Sequence, residues 1–316
     1  HYMGDVDGNV GSWGFARGGT GAVANAIAAA FKVEGGELRT EAGVDKFIVK
    51  NGKAAGVALD NGDEIHANVV VSAMDAKQTF LNCMDKSDLP EKFHNRIENF
   101  KIRGSSGKIN IALDGLPIFT GLPEGSPLRL GGIHFTDSME RMERAYDDWK
   151  DGTWSKDPYI DLTIPSTNDP TMTPPGKHFM SCFIQYCPRQ INGRDWTQED
   201  KDGFRKSVFD QISNYSPDFE DLVLHAEVRT PQDIENEIGI TEGNIFHGEL
   251  TMDQLMFNRP VPGYAQYRSP IGGLYMCGSS THPGGGIMAA PGANAAREIL
   301  RDLKRPNVVP ENFGDD

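Results

Sequence analysis

Leu274-Tyr275-Met276-Cys277-Gly278-Ser279-Ser280-Thr281-His282-Pro283-Gly284-Gly285-Gly286-Ile287-Met288-Ala289-Ala290 sets a short apolar strand, a Gly-rich bend and a helix start in direct succession. From Ala289 onward, apolar residues fall at Ala289, Ala293, Ala296, Leu300 and Leu303, which is one face of an α-helix. Arg297, Glu298, Arg301 and Asp302 take the other face. Pro291 is compatible only with the first turn, where no intrahelical N–H is needed, so the helix is expected to begin between Ile287 and Ala290. Its positive dipole end then abuts Gly284-Gly285-Gly286, where the lack of side chains lets a ligand reach the main chain. Free N–H groups of a first helical turn suit phosphate, carboxylate or a flavin carbonyl.

Gly284-x-Gly286-x-x-Ala289 also matches a loose dinucleotide fingerprint. That fingerprint needs a complete βαβ unit with an acidic residue about 20 positions on. Here the chain ends soon after the helix, and Lys304 stands where the acid would be.

Toward the N-terminus, Arg17-Gly18-Gly19-Thr20-Gly21 leads into a helical stripe of Val23, Ile27, Ala30 and Phe31 that Gly35-Gly36 ends. Strands are expected at about 37–40, 44–49, 54–59 and 64–67. Asn51-Gly52 and Asn61-Gly62 are read as primed hairpin turns. Val69-Val70-Val71 followed by Ser72-Ala73 suits a buried parallel strand.

The run from Gly243-Asn244-Ile245-Phe246-His247-Gly248 through Arg259-Pro260-Val261-Pro262 to the Thr281-His282-Pro283 triple-Gly stretch resembles the C-terminal half of the phytoene-desaturase-like FAD-dependent oxidoreductases. Within that family the chain resembles the branch of pyridine nucleotide-disulphide oxidoreductase domain-containing protein 2. Arg17 to Gly21 and Gly36-Glu37-Leu38-Arg39-Thr40 are similar to the middle of the same family. Similarity is weakest between about residues 135 and 230. The resemblance implies an α/β fold: a Rossmann-like FAD-binding domain from 17–75 and 265–316, into which a sheet-plus-helix α+β substrate domain, 76–264 with 1–16, is inserted. It further implies the backbone of Val44 against adenine, the Ser72 strand end near the dinucleotide, and Gly278 and Ser279 along the pyrophosphate and ribityl chain. Gly286, Ile287 and Met288 would lie at the pyrimidine edge of the flavin. Family members carry an N-terminal G-x-G-x-x-G unit for the ADP half of FAD, and residues 1–35 do not supply it. With His1 at the start, the expectation is a piece of a longer oxidoreductase, inactive alone, whose FAD is absent or weakly held.

Composition narrows the partners. At 316 residues the chain has material for two domains, and its net charge of −14 argues against a general attraction to nucleic acid or anionic membranes. No apolar run approaches the roughly 18 residues that span a bilayer, so a soluble, cytoplasmic protein is expected. Cys182 and Cys187 flank a strand at odd separation and are expected to face opposite ways, and all four cysteines are read as buried thiols. Lacking part of a parallel sheet, the chain is expected to self-associate.

Between Ala76 and Arg268, strand-like segments at Lys108 to Leu113, Tyr159 to Ile164, Phe179 to Tyr186 and His225 to Arg229 alternate with amphipathic helices. One helix carries Met139, Met142, Ala145, Tyr146 and Trp149, a stripe that fits either a lipid-binding wall or packing on a sheet. Another starts after Thr197 as N-cap, places Glu199 and Asp200 in its first turn, and runs through Phe204, Val208 and Ile212. Two apparent metal sites are set aside. Asp5-Val6-Asp7-Gly8-Asn9 lacks the bidentate Glu of a calcium loop, since Ala16 stands there, and is read as a turn. His178, Cys182 and Cys187 fit no compact zinc spacing.

By the same resemblance the flavin takes a hydride from a C–H bond of a hydrophobic small-molecule substrate, and no protein nucleophile is required. The catalytic residues are left unassigned: His282 and His247 are the nearest titratable groups, and a bracing role suits His282 as well as a base. Two other readings stay open. A flavin amine-oxidase-like enzyme would show an aromatic cage for an amine, and a non-catalytic module would use the substrate-domain sheet as a binding surface.

Overall fold

The computed structural model describes residues 5–6, 8–10, 14–123, 125–126, 131–287 and 289–305. The Asp/Gly-rich start is a hairpin of β1 (Asp5–Val6) and β2 (Asn9–Val10), with Gly8 at φ 80° in the turn. Helix α1 (Thr20–Val33) ends where the sequence places its stop. Gly35 sits in the left-handed region and donates to the Lys32 carbonyl, while Gly36 donates to Phe31, the paired bonds of a Schellman ending. Its apolar stripe, however, is not covered. No residue of α1 is buried, and Ile27 and Phe31 are 58% and 50% exposed.

A meander follows: β3 (Val44–Lys50), β4 (Lys53–Leu59) and β5 (Glu64–His66), all antiparallel. No strand forms at 37–40. Asn51 and Gly52 both have positive φ, as a primed turn demands. The second turn differs from expectation. There Gly62 alone is left-handed and donates to Leu59, so Asp60 and Asn61 form the centre of the bend and Gly62 the bulge after it.

The chain then passes through β6 (Val70–Ser72), a π-helical turn at Gln78–Asn82 and α2 (Glu91–Glu98). Phe80, Phe93, Ile97, Phe100 and Ile102 from this stretch pack with Phe47, Val70, Val261, Leu274 and Met276 into one core. By packing, residues 76–102 thus share one core with the meander, β6 and residues 261–276.

Period-two alternation builds the second core. Strands β7 (Ser106–Leu113), β8 (Ile133–Phe135), β9 (Tyr159–Thr163), β10 (His178–Gln185) and β11 (Val223–Arg229) form an antiparallel sheet in the order β11-β7-β10-β9-β8. Ile109, Ile111, Ile160, Leu162, Met180 and Ile184 point to one face and are buried. Helix α4 (Gln198–Ser213) covers that face with Phe204, Val208 and Ile212, the predicted stripe. A Cβ on Gly107 would come within 2.7 Å of the Phe204 ring, so the glycine lets the helix sit close on β7. Thr197 and Asp200 form a reciprocal capping box, repeated by Thr230 and Asp233 at α5 (Pro231–Ile238). Helix α3 (Met139–Lys150) buries Ala145 and Trp149 only, and Met139 is 87% exposed. Cys187 lies past the end of β10 and turns into the same core as Cys182, so the two thiols do not face opposite ways.

Strand β12 (Leu274–Met276) closes the fold by pairing in parallel with β6. Parallel pairing among the described residues is confined to these strands and the Lys53–Gly272 bridge. Helix α6 (Ala290–Asp302) begins inside the expected window, with Pro291 in its first turn. Its buried face is not the expected one. Pro291 and Ala295 face inward, followed by Glu298 and Asp302, which Arg268 and Tyr275 hold by ion pairs and a hydrogen bond. Leu303, at the end of the predicted stripe, is half exposed. Among the described residues, no helix is long and apolar enough to cross a membrane.

Candidate cofactor site

Two parallel strands end side by side at Ser72 and Met276, and ligands of open α/β sheets lie beyond such carboxyl ends. The Cys277 N–H donates to the Ser72 carbonyl at 2.9 Å, and the hydroxyls of Ser72 and Thr79 share a 2.8 Å hydrogen bond. Ser72 is buried, so its side chain ties strand to turn and is not presented to a ligand. Gly278 follows immediately. A Cβ there would overlap the Ala73 carbonyl oxygen, so the glycine is required by the neighbouring strand exit as well as by any ligand.

The loop after it is wound on its own hydroxyls. Thr281 donates from Oγ1 and from N–H to the Gly278 carbonyl, at 2.8 and 3.0 Å, and Gly284 N–H donates to the Thr281 carbonyl at 2.7 Å. Ser280 Oγ donates to the His247 carbonyl at 2.6 Å and accepts from the Ala76 N–H at 3.0 Å. These bonds leave the N–H groups of Ser279, Ser280, Gly285 and Gly286 without a protein acceptor among the described residues. Gly284 has φ 101°, and a Cβ on it would meet open space. Ala289, the N-cap of α6, is left-handed and caps nothing with its side chain. The first-turn N–H groups therefore also lack a capping side chain.

Two side chains that sequence reasoning did not single out hold this loop. Arg259 is fully buried and donates from Nε to the Ser279 carbonyl at 2.9 Å. Tyr267 donates to the His282 carbonyl at 2.7 Å and accepts from Asn294 of α6 at 2.8 Å. The signal for Arg259 was a lone cation among apolar residues and prolines in Asn258-Arg259-Pro260-Val261-Pro262.

The predicted site residues separate into groups. Ser72, Gly278 and Ser279 lie at the two strand ends, where Gly285 packs on the Ser279 side chain, and Gly286 follows it in the loop with φ 119°. Ile287 is 72% exposed, and Met288 lies outside the described residues. Val44 opens the meander, where its carbonyl accepts from the Cys83 thiol. Of the two histidines, His282 is exposed, and its carbonyl is the group engaged. His247 has φ 53°, and its Nδ1 is buried with no hydrogen-bond partner among the described residues. Burial lowers the pKa of its imidazole, with Asp75 opposing and Arg259 adding to the effect.

A family model for flavin containing amine oxidoreductases matches residues 3–226. The chain belongs to the flavin-containing amine oxidoreductases. Over 312 residues it is 40% identical to pyridine nucleotide-disulfide oxidoreductase domain-containing protein 2 of Mus musculus, covering 96% of this chain and 54% of that protein. It is 26% identical to the lycopene-forming phytoene desaturase of Pseudescherichia vulneris, covering 92% and 56%. A solved oxidoreductase from Methanosarcina mazei shares the fold with a TM-score of 0.57 at 18% identity, over 90% of this chain and 55% of that one. The chain thus spans about half the length of the curated relatives it matches.

Whether this flavin-containing amine oxidoreductase can take a flavin depends on the loop residues themselves. Unpaired N–H groups, the open space over Gly284 and the orphaned Nδ1 of His247 all match what a flavin ring with carbonyls and ring nitrogens offers. The residues present fit the group.

Proposed function

We propose that this chain is the substrate-binding and flavin-capping part of an FAD-dependent oxidoreductase that takes a hydride from a C–H bond of its substrate. The observation that carries the reading is the set of unpaired N–H groups at Ser279, Ser280, Gly285 and Gly286, placed between the end of β12 and the start of α6. When bound, a flavin supplies a two-electron acceptor that side chains lack. The loop N–H groups of this chain would hold such a ring, and together with the positive end of α6 they would favour negative charge on it.

The face of the five-stranded sheet opposite α4 is the proposed substrate wall. Register places Lys108, Phe183 and Asp161 in one row across it, and Glu227, Asn110, Ser181 and Thr163 in the next. Polar groups around the Phe183 ring suit an amphiphilic substrate better than a bare hydrocarbon, which narrows the hydrophobic substrate expected from sequence. The amine-oxidase-like alternative asked for an aromatic cage. Tyr146, Trp149 and Tyr186 do cluster, but Arg103 already sits 4.7 Å over Trp149 and Lys150 4.9 Å over Tyr146, so the chain's own cations occupy two of these rings.

The deciding experiment is an FAD titration followed by visible absorbance and fluorescence quenching. This chain is compared with a form extended to the length of its relatives. Tight binding by the longer form alone is the expected result. Binding by neither removes the flavin reading and leaves a non-catalytic binding module.

A further inference from the structure

Arg259 is fully buried, and among the described residues no carboxylate stands within ion-pair distance of it. A buried cation without a counter-ion is costly unless its hydrogen-bonding capacity is met. Here backbone carbonyls meet it. Nε donates to Ser279 at 2.9 Å, Nη1 to Glu249 and Gln254 at 3.3 and 3.4 Å, and Nη2 to Phe246 and Gly248 at 2.7 and 3.3 Å. A guanidinium has five N–H bonds in a rigid fork, and five carbonyls converge on it.

The Ser279 bond has a directional consequence. In a planar trans peptide the C=O and the following N–H point opposite ways. Drawing the Ser279 carbonyl inward to Arg259 therefore turns the Ser280 N–H outward, where it lacks a protein acceptor among the described residues. The other four carbonyls belong to the segment that carries His247, whose own carbonyl is bound by Ser280 Oγ.

We infer that Arg259 is a positioning residue that presets the cofactor loop. It fixes the outward N–H pattern of Ser279 to Gly286 and locks the His247 segment to that loop as one unit. Its role toward a flavin rests on the proposed function above, while its role in shaping the loop does not. Because carbonyls rather than a carboxylate satisfy it, its charge is undiminished beneath the loop and adds to the attraction for an anionic ligand. Burial draws its pKa down to about 10, which leaves it charged at neutral pH.

The test uses Arg259→Met and Arg259→Lys in this chain, read first by amide hydrogen exchange without flavin. Arg259→Met is expected to speed exchange at least tenfold at the hydrogen-bonded amides of Phe246, His247, Gly248, Glu249, Gln254, Thr281 and Gly284, with Ile109, Cys182 and Ile184 of the sheet unchanged. A role in general packing would instead raise exchange across Phe93, Ile97 and Leu274 to the same degree, and that uniform pattern overturns the inference. Unchanged loop exchange overturns it as well. Arg259→Lys keeps the charge without the fork and is expected to give a partial effect, so it decides the question should Arg259→Met fail to fold. In the relative-length form, FAD affinity should fall at least tenfold in Arg259→Met. If wild-type protein of that length binds no FAD, the flavin reading fails, and the exchange pattern alone still decides the role of Arg259.

Discussion

The hydroxyl of Tyr267 joins the carbonyl of His282 to the side chain of Asn294, so a single phenol clamps the Gly-rich loop to α6. Tyr267→Phe removes both bonds while keeping the ring in place. A loss of about 1–2 kcal/mol is expected, measured as a shift of the urea midpoint. An unchanged midpoint would show that the clamp contributes nothing to stability.

Glycines of the loop should separate by cause. Gly278→Ala puts a methyl against the Ala73 carbonyl and must push β12 from β6, with an expected cost of roughly 3 kcal/mol. Gly284→Ala meets no atom and suffers only the positive φ, about 1 kcal/mol. Gly286 also has positive φ, and Gly286→Val is expected to abolish flavin binding, because a β-branched side chain blocks approach to the helix start. Denaturant unfolding reads the first two and flavin titration the third; equal stability of Gly278→Ala and Gly284→Ala would refute the assignment.

Acid sensitivity should be traceable to the α4 capping box. Asp200 accepts both arms of the Arg194 guanidinium, at 2.6 and 2.9 Å, and Thr197 N–H, and these bonds hold its carboxyl well below the usual range. Since the folded pKa is depressed, the stabilisation is fully present above the unfolded value of about 3.9 and fades as pH falls below it. Asp200→Asn should lower stability at neutral pH by roughly 1 kcal/mol and flatten the acid-side decline. Unfolding midpoints between pH 2 and 7 supply the check, and parallel curves for both proteins would exclude this carboxylate as the cause.

Self-association is the expected solution behaviour, driven by the uncovered stripe of α1. Ile27, Phe31 and Val33 are all exposed on one helix. Sedimentation coefficients should rise with concentration, and Ile27→Glu with Phe31→Glu should suppress the rise. A clean monomer across concentrations would count against the idea.

The elements were most legible where burial and pattern coincide. Phe204, Val208 and Ile212 form the buried stripe of α4 as read, because an amphipathic helix on a sheet leaves a clear period. The same logic misjudged α1, whose apolar stripe stays uncovered, and α6, which buries Pro291 and Ala295 and docks through Glu298 and Asp302 while its predicted stripe is only half-buried. Periodicity shows that a face is apolar, not which partner covers it. At the candidate site, the Gly-rich bend between β12 and α6 was visible in the sequence pattern. Arg259 and Tyr267 were not, since their partners are backbone carbonyls in separate parts of the chain, and a carbonyl carries no sequence signature.

One hydrogen bond connects Ala76 to Ser280 across 204 residues. Closing a loop of that length in an unstructured chain costs entropy before any contact compensates for it, whereas a folded insert brings its two ends together in advance. The expected order of assembly is that the five-stranded sheet forms before the parallel pair and its cradle. A lesion in the sheet is therefore expected to be felt as a failure to form the Gly-rich loop cradle, even where every residue of that loop is intact.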